Sequence, residues 1–172
     1  MHQRPTTMAK SAELHTLIEG LLEAGVDFVL VGGLAAVAQG APITTFDVDI
    51  VHRRSPENVD RLLTFLTSIN AHYRGRPEPP LLPKRTALLG TGHSLFMTDL
   101  GPIDVLGAIE QGADFDQLLP KTVEMTVGGR SLRVLSLEAI VALKQASADP
   151  KDKLKLPILE ETIRRRKKPS ST

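Results

Sequence analysis

The spacing of apolar residues changes several times along this chain, and each change predicts a different element. Between Leu14 and Leu22, leucine and isoleucine recur every three or four residues, which is typical of an amphipathic helix. Gly25 is well placed to end that helix. The segment 27–31 is then almost continuously apolar, and a Gly-Gly pair and a short apolar segment, 34–39, follow it. We therefore predict a buried strand that turns directly into a short helix.

The next stretch alternates between apolar and acidic residues, which predicts a second strand. Side chains two positions apart in a strand point to the same face. Phe46, Val48 and Ile50 are therefore expected to face the core. Asp47 and Asp49 would then lie side by side on the opposite face.

Beyond this strand, the chain predicts further helices and two hairpins. Ser55, Pro56 and Glu57 combine an N-cap residue, a first-turn proline and a first-turn acid, which is a strong helix start. The elements expected in order are a helix from Ser55, an irregular proline-rich loop over 75–84, a hairpin of 94–98 with 103–106, a hairpin around Gly128-Gly129, a helix from Ser136 and a last helix from about Asp149. Pro157 lies inside the last helix and should kink or restart it. Because strands and helices do not strictly alternate, we predict an α/β (α+β) fold with a mixed sheet.

Length and composition limit what this chain can be. Its 172 residues, 41% of them hydrophobic, are enough for one compact domain or for a domain with a small helical appendage. We divide it into a disordered start (1–10), a core (11–135), C-terminal helices packed on the core (136–168) and a tail (169–172). No apolar stretch approaches the length of a membrane span, and no secretory signal is visible. Cysteine is absent, which excludes disulfides and thiolate chemistry and fits a cytoplasmic protein.

Positive charge is concentrated at the C-terminal end. The net charge is +1, but the segment 164–168 carries five positive residues, so the rest of the chain is mildly acidic. Cations are favourable at a helix C-terminus in themselves, although a tRNA acceptor would also need such charge. Aromatic residues make up only 3% of the chain, which argues against a base-stacking platform for single-stranded nucleic acid.

The aspartates of the second strand are the first candidate chemistry. Two carboxylates this close repel each other unless a cation lies between them, and Mg²⁺ (or Mn²⁺) binds carboxylate oxygens together with substrate phosphates. Asp104 is the best third ligand, since apolar neighbours fix its side on a later strand that could lie beside the first. The backbone N–H groups of Gly32 and Gly33, just before a helix start, are suited to phosphate. Together these features predict a metal and nucleotide site for phosphoryl or nucleotidyl transfer.

This order of motifs resembles the nucleotidyltransferase superfamily, whose motif is Gly-Gly or Gly-Ser, a helix, Asp-x-Asp and a distant third Asp. Within it, the chain is most similar to bacterial nucleotidyltransferases of the abortive-infection and toxin–antitoxin type. Their signature begins with Gly-Gly and a small apolar helix, which correspond here to Gly32-Gly33 and 34–38. His-Gly follows in the family and corresponds to Gln39-Gly40. The signature ends with Arg-x-Thr-x-Asp-x-Asp, which corresponds to Ile43-Thr44-Thr45-Phe46-Asp47-Val48-Asp49. Their late Lys and Lys-Asp correspond to Lys144 and Lys151-Asp152. The resemblance spans about residues 26–156 and implies a mixed sheet of the nucleotidyltransferase type with flanking helices.

The resemblance also implies roles for individual residues. They divide into metal ligands, namely Asp47, Asp49 and Asp104, with Asp104 also a candidate base, and nucleotide-binding groups, namely Gly32, Gly33, Thr45 and Lys144. The implied cofactor is Mg²⁺ or Mn²⁺, and the implied substrate is an NTP.

The chain departs from the family signature at two of its polar positions. Ile43 stands where the family has Arg, and Gln39 where it has His. A nearby Lys does not replace the fork of Arg, which bonds two oxygens at once. These departures bear on the rate and the acceptor more than on metal binding.

Three functions stay open on this sequence. The first is metal-dependent transfer of a nucleoside monophosphate from an NTP to a hydroxyl on a protein or an RNA such as tRNA, as the toxin of a pair with an antitoxin-like partner. The second is a nucleotide-binding or protein-interaction module whose catalytic site has decayed. The third is a small-molecule, antibiotic-type nucleotidyltransferase, for which the chain shows no obvious second domain, although a homodimer would supply a pocket.

Overall fold

The structure, a computed structural model, describes residues 7–75 and 78–167, with side chains from residue 13 onward. Within these residues, seven helices flank one seven-stranded sheet. The helices are α1 (Thr7–Glu23), α2 (Gly32–Ala38), α3 (Pro56–Ser68), α4 (Arg85–Leu88), α5 (Phe115–Leu118), α6 (Leu137–Ala146) and α7 (Pro150–Lys167), with a 3₁₀ turn at Leu119–Lys121. The strands are β1 (Phe28–Val31), β2 (Val48–His52), β3 (His72–Tyr73), β4 (His93–Thr98), β5 (Gly101–Leu106), β6 (Thr122–Val127) and β7 (Arg130–Leu135).

The sheet is mixed, and this confirms the predicted fold class. Its strand order is β3-β4-β5-β2-β1-β7-β6. The two predicted hairpins, β4–β5 and β6–β7, are antiparallel, and so is the central pair β1–β2. Parallel pairing of β2 with β5 and of β1 with β7 joins the central pair to the two hairpins. The strand that carries Asp104 therefore lies beside the strand that carries Asp49.

The core is formed by the central strands and the apolar faces of the helices. All four residues of β1 are buried, as the continuous apolar run predicts for a central strand. From α1, the side chains of Leu17 and Leu21 are fully buried, and from α3 those of Leu62 and Leu66 are. Each such side chain contributes about 2 kcal/mol through its burial. The amphipathic spacing in the sequence thus fixes which helix faces pack on the sheet.

Serine caps begin two helices where the sequence predicts them. The Ser55 hydroxyl accepts a hydrogen bond from the Asn58 backbone N–H ahead of α3, at 3.4 Å. The Ser136 hydroxyl does the same for Ala139 ahead of α6, at 3.1 Å. Each cap satisfies one of the backbone donors that a helix start leaves unpaired.

The prediction for the start of the second strand is wrong. β2 begins at Val48, so Phe46 and Asp47 precede it, and Phe46 is 51% exposed instead of facing the core. The ladder with β1 ends at the pair of Val31 with Asp49, and the ladder with β5 ends at the pair of Val48 with Ile103. The next residue of β5 in this direction is Pro102, which has no N–H to donate.

Two further boundaries differ from the expectations. Helix α1 begins at Thr7, inside the segment 1–10 that the sequence analysis assigned to a disordered start, and residues 1–6 lie outside the described residues. Helix α7 continues through Pro157 instead of restarting there. The Pro157 side chain is exposed, so water can reach the carbonyl that the missing N–H would have bonded. No helix in the described part of the chain is long and apolar enough to span a membrane.

Candidate active site

The turn from β1 into α2 requires glycine for two separate reasons. Gly32 has a φ of +72°, a left-handed conformation that other residues adopt only with strain. A Cβ at this position would also lie 2.2 Å from Oδ2 of Asp49. At Gly33, a Cβ would lie 3.0 Å from the Thr45 hydroxyl oxygen. The Gly-Gly pair therefore brings the backbone directly against the Asp49 carboxylate and the Thr45 side chain.

Two of the three predicted carboxylates lie side by side on neighbouring strands. Asp49 on β2 and Asp104 on β5 are register partners in the parallel pair. Their side chains line the same cleft. Asp47 lies outside β2, in the segment leading into it, so the expectation that Asp47 and Asp49 share one face of a single strand is wrong.

Arg74 is the site residue that sequence reasoning missed. Its guanidinium Nη2 donates a hydrogen bond to Oδ1 of Asp104, and its Nη1 lies 3.8 Å from Oδ2 of Asp47. It follows the two-residue strand β3, which pairs with β4 at the edge of the sheet. The sequence carries no signal for this placement, because β3 is too short to show a period and Arg74 precedes a proline-rich loop.

The Asp49 carboxylate is destabilised in its charged form. Burial, and secondarily the Asp47 carboxylate nearby, raise the pKa of Asp49 to about 6, while Arg74 acts in the opposite direction. Oδ1 of Asp49 is buried and has no hydrogen-bond partner among the described residues. A buried acceptor with no donor is costly unless a ligand supplies a partner.

These carboxylates fit a divalent cation bound with substrate. Mg²⁺ commonly binds one or two carboxylates together with phosphates and water, and it requires oxygen ligands such as Oδ1 of Asp49. Across residues 7–75 and 78–167, no group of three or more His, Cys, Asp or Glu side chains is assembled to hold a metal ion. The guanidinium of Arg74 bonds Asp104 and lies beside Asp47, the two remaining members of the predicted ligand set.

A cleft of about 290 Å³ extends from the carboxylates to the C-terminal helices. Polar residues line it from three sides: Gly32, Asp49, His93 and Asp104 at the sheet, Glu110 and Gln111 after β5, and Lys144 and Asp152 at the helices. Its apolar wall is formed by Leu95, Leu106, Ile109, Leu135, Ile140 and Leu143, among others. An apolar cleft with a few converging polar groups is the usual form of a small-ligand site.

Lys144 is paired inside this cleft. Its Nζ lies 3.3 Å from Oδ1 of Asp152. A hydrogen bond from the Ser147 hydroxyl, together with the charge of Lys144, holds the pKa of Asp152 below its ordinary value. The late Lys and Lys-Asp motif thus brings Lys144 and Asp152 into contact, whereas Lys151 is exposed and does not line the cleft.

Thr45 lies next to the cleft without lining it. Its hydroxyl donates a long hydrogen bond, 3.5 Å, to the backbone carbonyl of Asp47. It also lines a separate, largely apolar cavity of about 340 Å³ between α1, α2 and the β6–β7 hairpin. The structure therefore brings Gly32, Asp49, Asp104 and Lys144 to one cleft, with Gly33, Thr45 and Asp47 beside it.

Gln39 has a structural role that the sequence comparison did not reveal. Its Nε2 donates to the Ala35 and Leu135 carbonyls at 2.9 and 2.8 Å, and its Oε1 accepts from the Leu137 N–H at 3.1 Å. These bonds tie the end of α2 to the junction between β7 and α6. Ile43, the second departure, packs partly buried against the core.

We predict that Gln39→Ala destabilises the fold by about 3 kcal/mol and leaves metal affinity within about twofold of wild type. Truncation leaves three partly buried backbone groups without their partner, and each costs about 1 kcal/mol. Chemical denaturation and Mn²⁺ titration measure the two quantities. A variant of wild-type stability with weakened metal binding would contradict the structural role.

Asp49→Asn should stabilise the apo protein at neutral pH. The folded protein binds the Asp49 proton at a higher pH than the unfolded chain does, so wild-type stability falls as the pH rises from about 4 to about 6. The Asp49→Asn variant has no carboxylate at this position, so its stability should not fall over this pH range. At pH 7 it should be more stable than wild type by about 1–3 kcal/mol, since each unit of pKa shift is worth about 1.4 kcal/mol. Denaturation of both proteins at several pH values tests this. The exposed control Asp116→Asn should follow the wild-type curve, and parallel curves for wild type and Asp49→Asn would refute the prediction.

The mixed seven-stranded sheet with flanking helices is a fold that solved nucleotidyltransferases share. The antibiotic-resistance factor ANT(2'')-Ia is similar over 92% of this chain and 86% of its own, with a TM-score of 0.57 and 13% identity. The lincosamide antibiotic adenylyltransferase LnuA, solved with lincomycin, is similar over 88% of this chain and 96% of its own, with a TM-score of 0.57 and 15% identity. An antigenic nucleotidyltransferase-like protein from Paracoccidioides brasiliensis is similar over 90% of this chain and 75% of its own, with a TM-score of 0.54 and 18% identity.

This chain therefore has the fold of these solved nucleotidyltransferases, which is the fold that the sequence resemblance implied. No protein-family model matches the sequence, and no curated protein does. The likeness lies in the fold, at identities of 13–18% to these three proteins.

Proposed function

We propose that this protein is a metal-dependent nucleotidyltransferase that moves a nucleoside monophosphate from an NTP to a hydroxyl group. The observation that carries the proposal is the cleft in which Asp49 and Asp104, register partners on adjacent strands, lie beside the Gly32 turn. The unsatisfied, buried Oδ1 of Asp49 supports it further, because it lacks the partner that a bound cation would supply.

The carboxylates would hold the metal and take part in proton transfer. Asp49, Asp104 and the neighbouring Asp47 would bind Mg²⁺ or Mn²⁺, which when bound neutralises triphosphate charge and orients the leaving pyrophosphate. The acceptor oxygen forms a bond to the α-phosphorus, the bond to pyrophosphate breaks, and the hydroxyl proton passes to a carboxylate. Asp104 is the candidate base, since its carboxylate lines the cleft in which the acceptor would bind.

The remaining cleft residues would bind and orient the nucleotide. The backbone at Gly32 and Gly33 lies close to the side chains of Asp49 and Thr45, and its N–H groups would bind phosphate oxygens there. Lys144 reaches the same cleft from α6, and its ammonium would exchange Asp152 for a phosphate oxygen. The apolar wall formed by Leu106, Leu143 and their neighbours would exclude water from the reacting groups.

A protein or tRNA hydroxyl is the acceptor that the toxin-type resemblance supports, with an antitoxin-like partner as regulator. The charge of α7 adds to this: Arg164, Arg165, Arg166 and Lys167 lie in its last turn. Two of these cations are paired with Glu161, at 2.7 and 3.2 Å, which reduces the charge available to a nucleic acid. Binding of RNA there would weaken steeply with salt.

A small-molecule hydroxyl is the second candidate acceptor, and one observation favours it. The chain spans 86% of the antibiotic-resistance factor ANT(2'')-Ia and 96% of the lincosamide antibiotic adenylyltransferase LnuA. A chain of this length therefore needs no second domain to match those proteins. A decayed binding module is the third candidate. The departures from the family signature at Gln39 and Ile43 favour it, although Gln39 also has a structural role, since it bonds the Leu135 carbonyl and the Leu137 N–H.

Calorimetric titration of ATP, GTP, CTP and UTP into the wild-type protein, with Mg²⁺ and with EDTA, tests the proposal. We expect binding of at least one nucleotide that requires Mg²⁺. Transfer of labelled nucleotide to tRNA, to the protein itself and to aminoglycoside or lincosamide antibiotics then separates the acceptor classes. Binding without transfer to any acceptor would favour the decayed module, and no binding of any nucleotide to folded protein would refute nucleotidyl transfer.

A further inference from the structure

Arg74 is the group in the site that neither the motifs nor the proposed mechanism uses. Its guanidinium bonds Asp104 and lies 3.8 Å from Asp47, so one cation joins two of the three predicted metal ligands. Its Nε is buried and has no hydrogen-bond partner among the described residues. A buried arginine donor without a partner can still bind a further acceptor.

A divalent cation and Arg74 compete for the same carboxylate oxygens. Oδ1 of Asp104 accepts from the guanidinium, and a metal bound by Asp104 and Asp47 would take over the negative charge that Arg74 now balances. The guanidinium cannot relieve the conflict by losing a proton. Two cations this close repel each other, so metal binding favours an arrangement in which Arg74 faces an anion instead.

The triphosphate of a nucleotide is the anion that would arrive with the metal. The planar fork of arginine bonds two oxygens of one phosphate, which a lysine does not. Lys144 is already paired with Asp152, and Ile43 offers no charge at the position where the family has Arg. Arg74 lies at the carboxylates themselves, on the β3 side of the site.

We propose that Arg74 is a phosphate-binding residue of this site, and that its guanidinium exchanges Asp104 and Asp47 for the triphosphate when metal and nucleotide bind. This inference rests on the proposed function. In the absence of ligand, Arg74 holds the carboxylates together and weakens their hold on a metal alone. With nucleotide present, the same side chain strengthens binding.

Arg74→Gln should therefore change two affinities in opposite directions. Titration with Mn²⁺ alone, followed by electron paramagnetic resonance, should show binding tighter by about 3- to 10-fold, because the competing charge is gone. Binding of inorganic tripolyphosphate and of the preferred NTP, both with Mg²⁺, should weaken by about 10- to 100-fold, since the charged two-oxygen contact is lost. Arg74→Lys should bind Mn²⁺ much as wild type does and still bind tripolyphosphate more weakly.

Arg130→Gln is the matched control, since Arg130 is exposed at the start of β7 and neutralising it makes the same change in net charge. It should leave both affinities unchanged. Weaker binding of both Mn²⁺ and tripolyphosphate by Arg74→Gln would mark Arg74 as structural and overturn the inference. Tighter binding of Mn²⁺ with unchanged binding of tripolyphosphate would also overturn the inference. Arg74 would then only balance the charge of the carboxylates.

The tripolyphosphate arm separates this inference from the proposed function. Wild-type protein that binds Mg²⁺–tripolyphosphate in an Arg74-dependent way, but none of the four NTPs, would refute nucleotidyl transfer and support the role of Arg74. Nucleotide binding that is equal in wild type and in both Arg74 variants would refute the role of Arg74 and leave the proposed function standing.

Discussion

The Asp47→Asn/Asp49→Asn double variant is expected to lose Mg²⁺-dependent nucleotide binding by at least about 100-fold. Residues that only support a metal ligand typically cost 10- to 100-fold in affinity when they are changed, so loss of two ligands should cost at least as much. Each substitution keeps the shape of the side chain and removes the charge that would attract the cation. Calorimetry with the preferred NTP and Mg²⁺ measures the loss.

We expect no unfolding to contribute to that loss, because removal of the buried Asp49 charge should make the apo protein more stable. Thermal denaturation checks this directly. The control variant Glu13→Gln/Asp116→Asn removes two exposed acids and makes the same change in net charge. It should bind nucleotide as wild type does. Metal-dependent binding retained by the Asp47→Asn/Asp49→Asn protein would place the metal elsewhere and refute the proposed site.

Most of the fold could be predicted from sequence because its signals are local. The serine at position 55 precedes proline and glutamate, and the alternation on either side of Gly128-Gly129 fixes a hairpin. The sequence analysis had to assume that β2 pairs with β5, since neither strand carries a signal that identifies its neighbour in the sheet. The predicted site depended on that long-range pairing, which the structure supplies through Asp49 and Asp104.

The remainder of the site depends on contacts that no spacing encodes. Arg74 reaches Asp104 because a two-residue strand pairs at the sheet edge, and such a strand has no periodicity to detect. Asp47 lies outside β2, which the alternation of the sequence alone did not show. Gln39 stands where the family has His, and two of its three hydrogen bonds reach nearly a hundred positions along the sequence. Such contacts depend on partners in space and not on neighbours in sequence.

Gly32→Ala should be the most damaging single substitution at the site. The left-handed φ of +72° costs a non-glycine residue about 1–2 kcal/mol. The new Cβ would also lie 2.2 Å from Oδ2 of Asp49, so the carboxylate or the turn must move. We expect a loss of about 3 kcal/mol in the free energy of unfolding, in line with strain added to a close contact. Affinity for Mn²⁺ should fall by at least about 10-fold, because the ligand that moves is Asp49.

Gly129→Ala separates the two causes of this loss. Gly129 has a similar φ of +78°, but a Cβ there would meet nothing within 4 Å. Gly129→Ala therefore adds backbone strain without a steric contact. Its free energy of unfolding should fall by only about 1 kcal/mol, and its metal affinity should not change. The difference between the two variants isolates the contact between the Gly-Gly turn and the carboxylate. Equal losses of stability with unchanged Mn²⁺ binding would mean that Gly32 serves only the turn. A larger loss at Gly32 together with weakened metal binding would mean that the close approach of backbone to Asp49 is what positions the ligand.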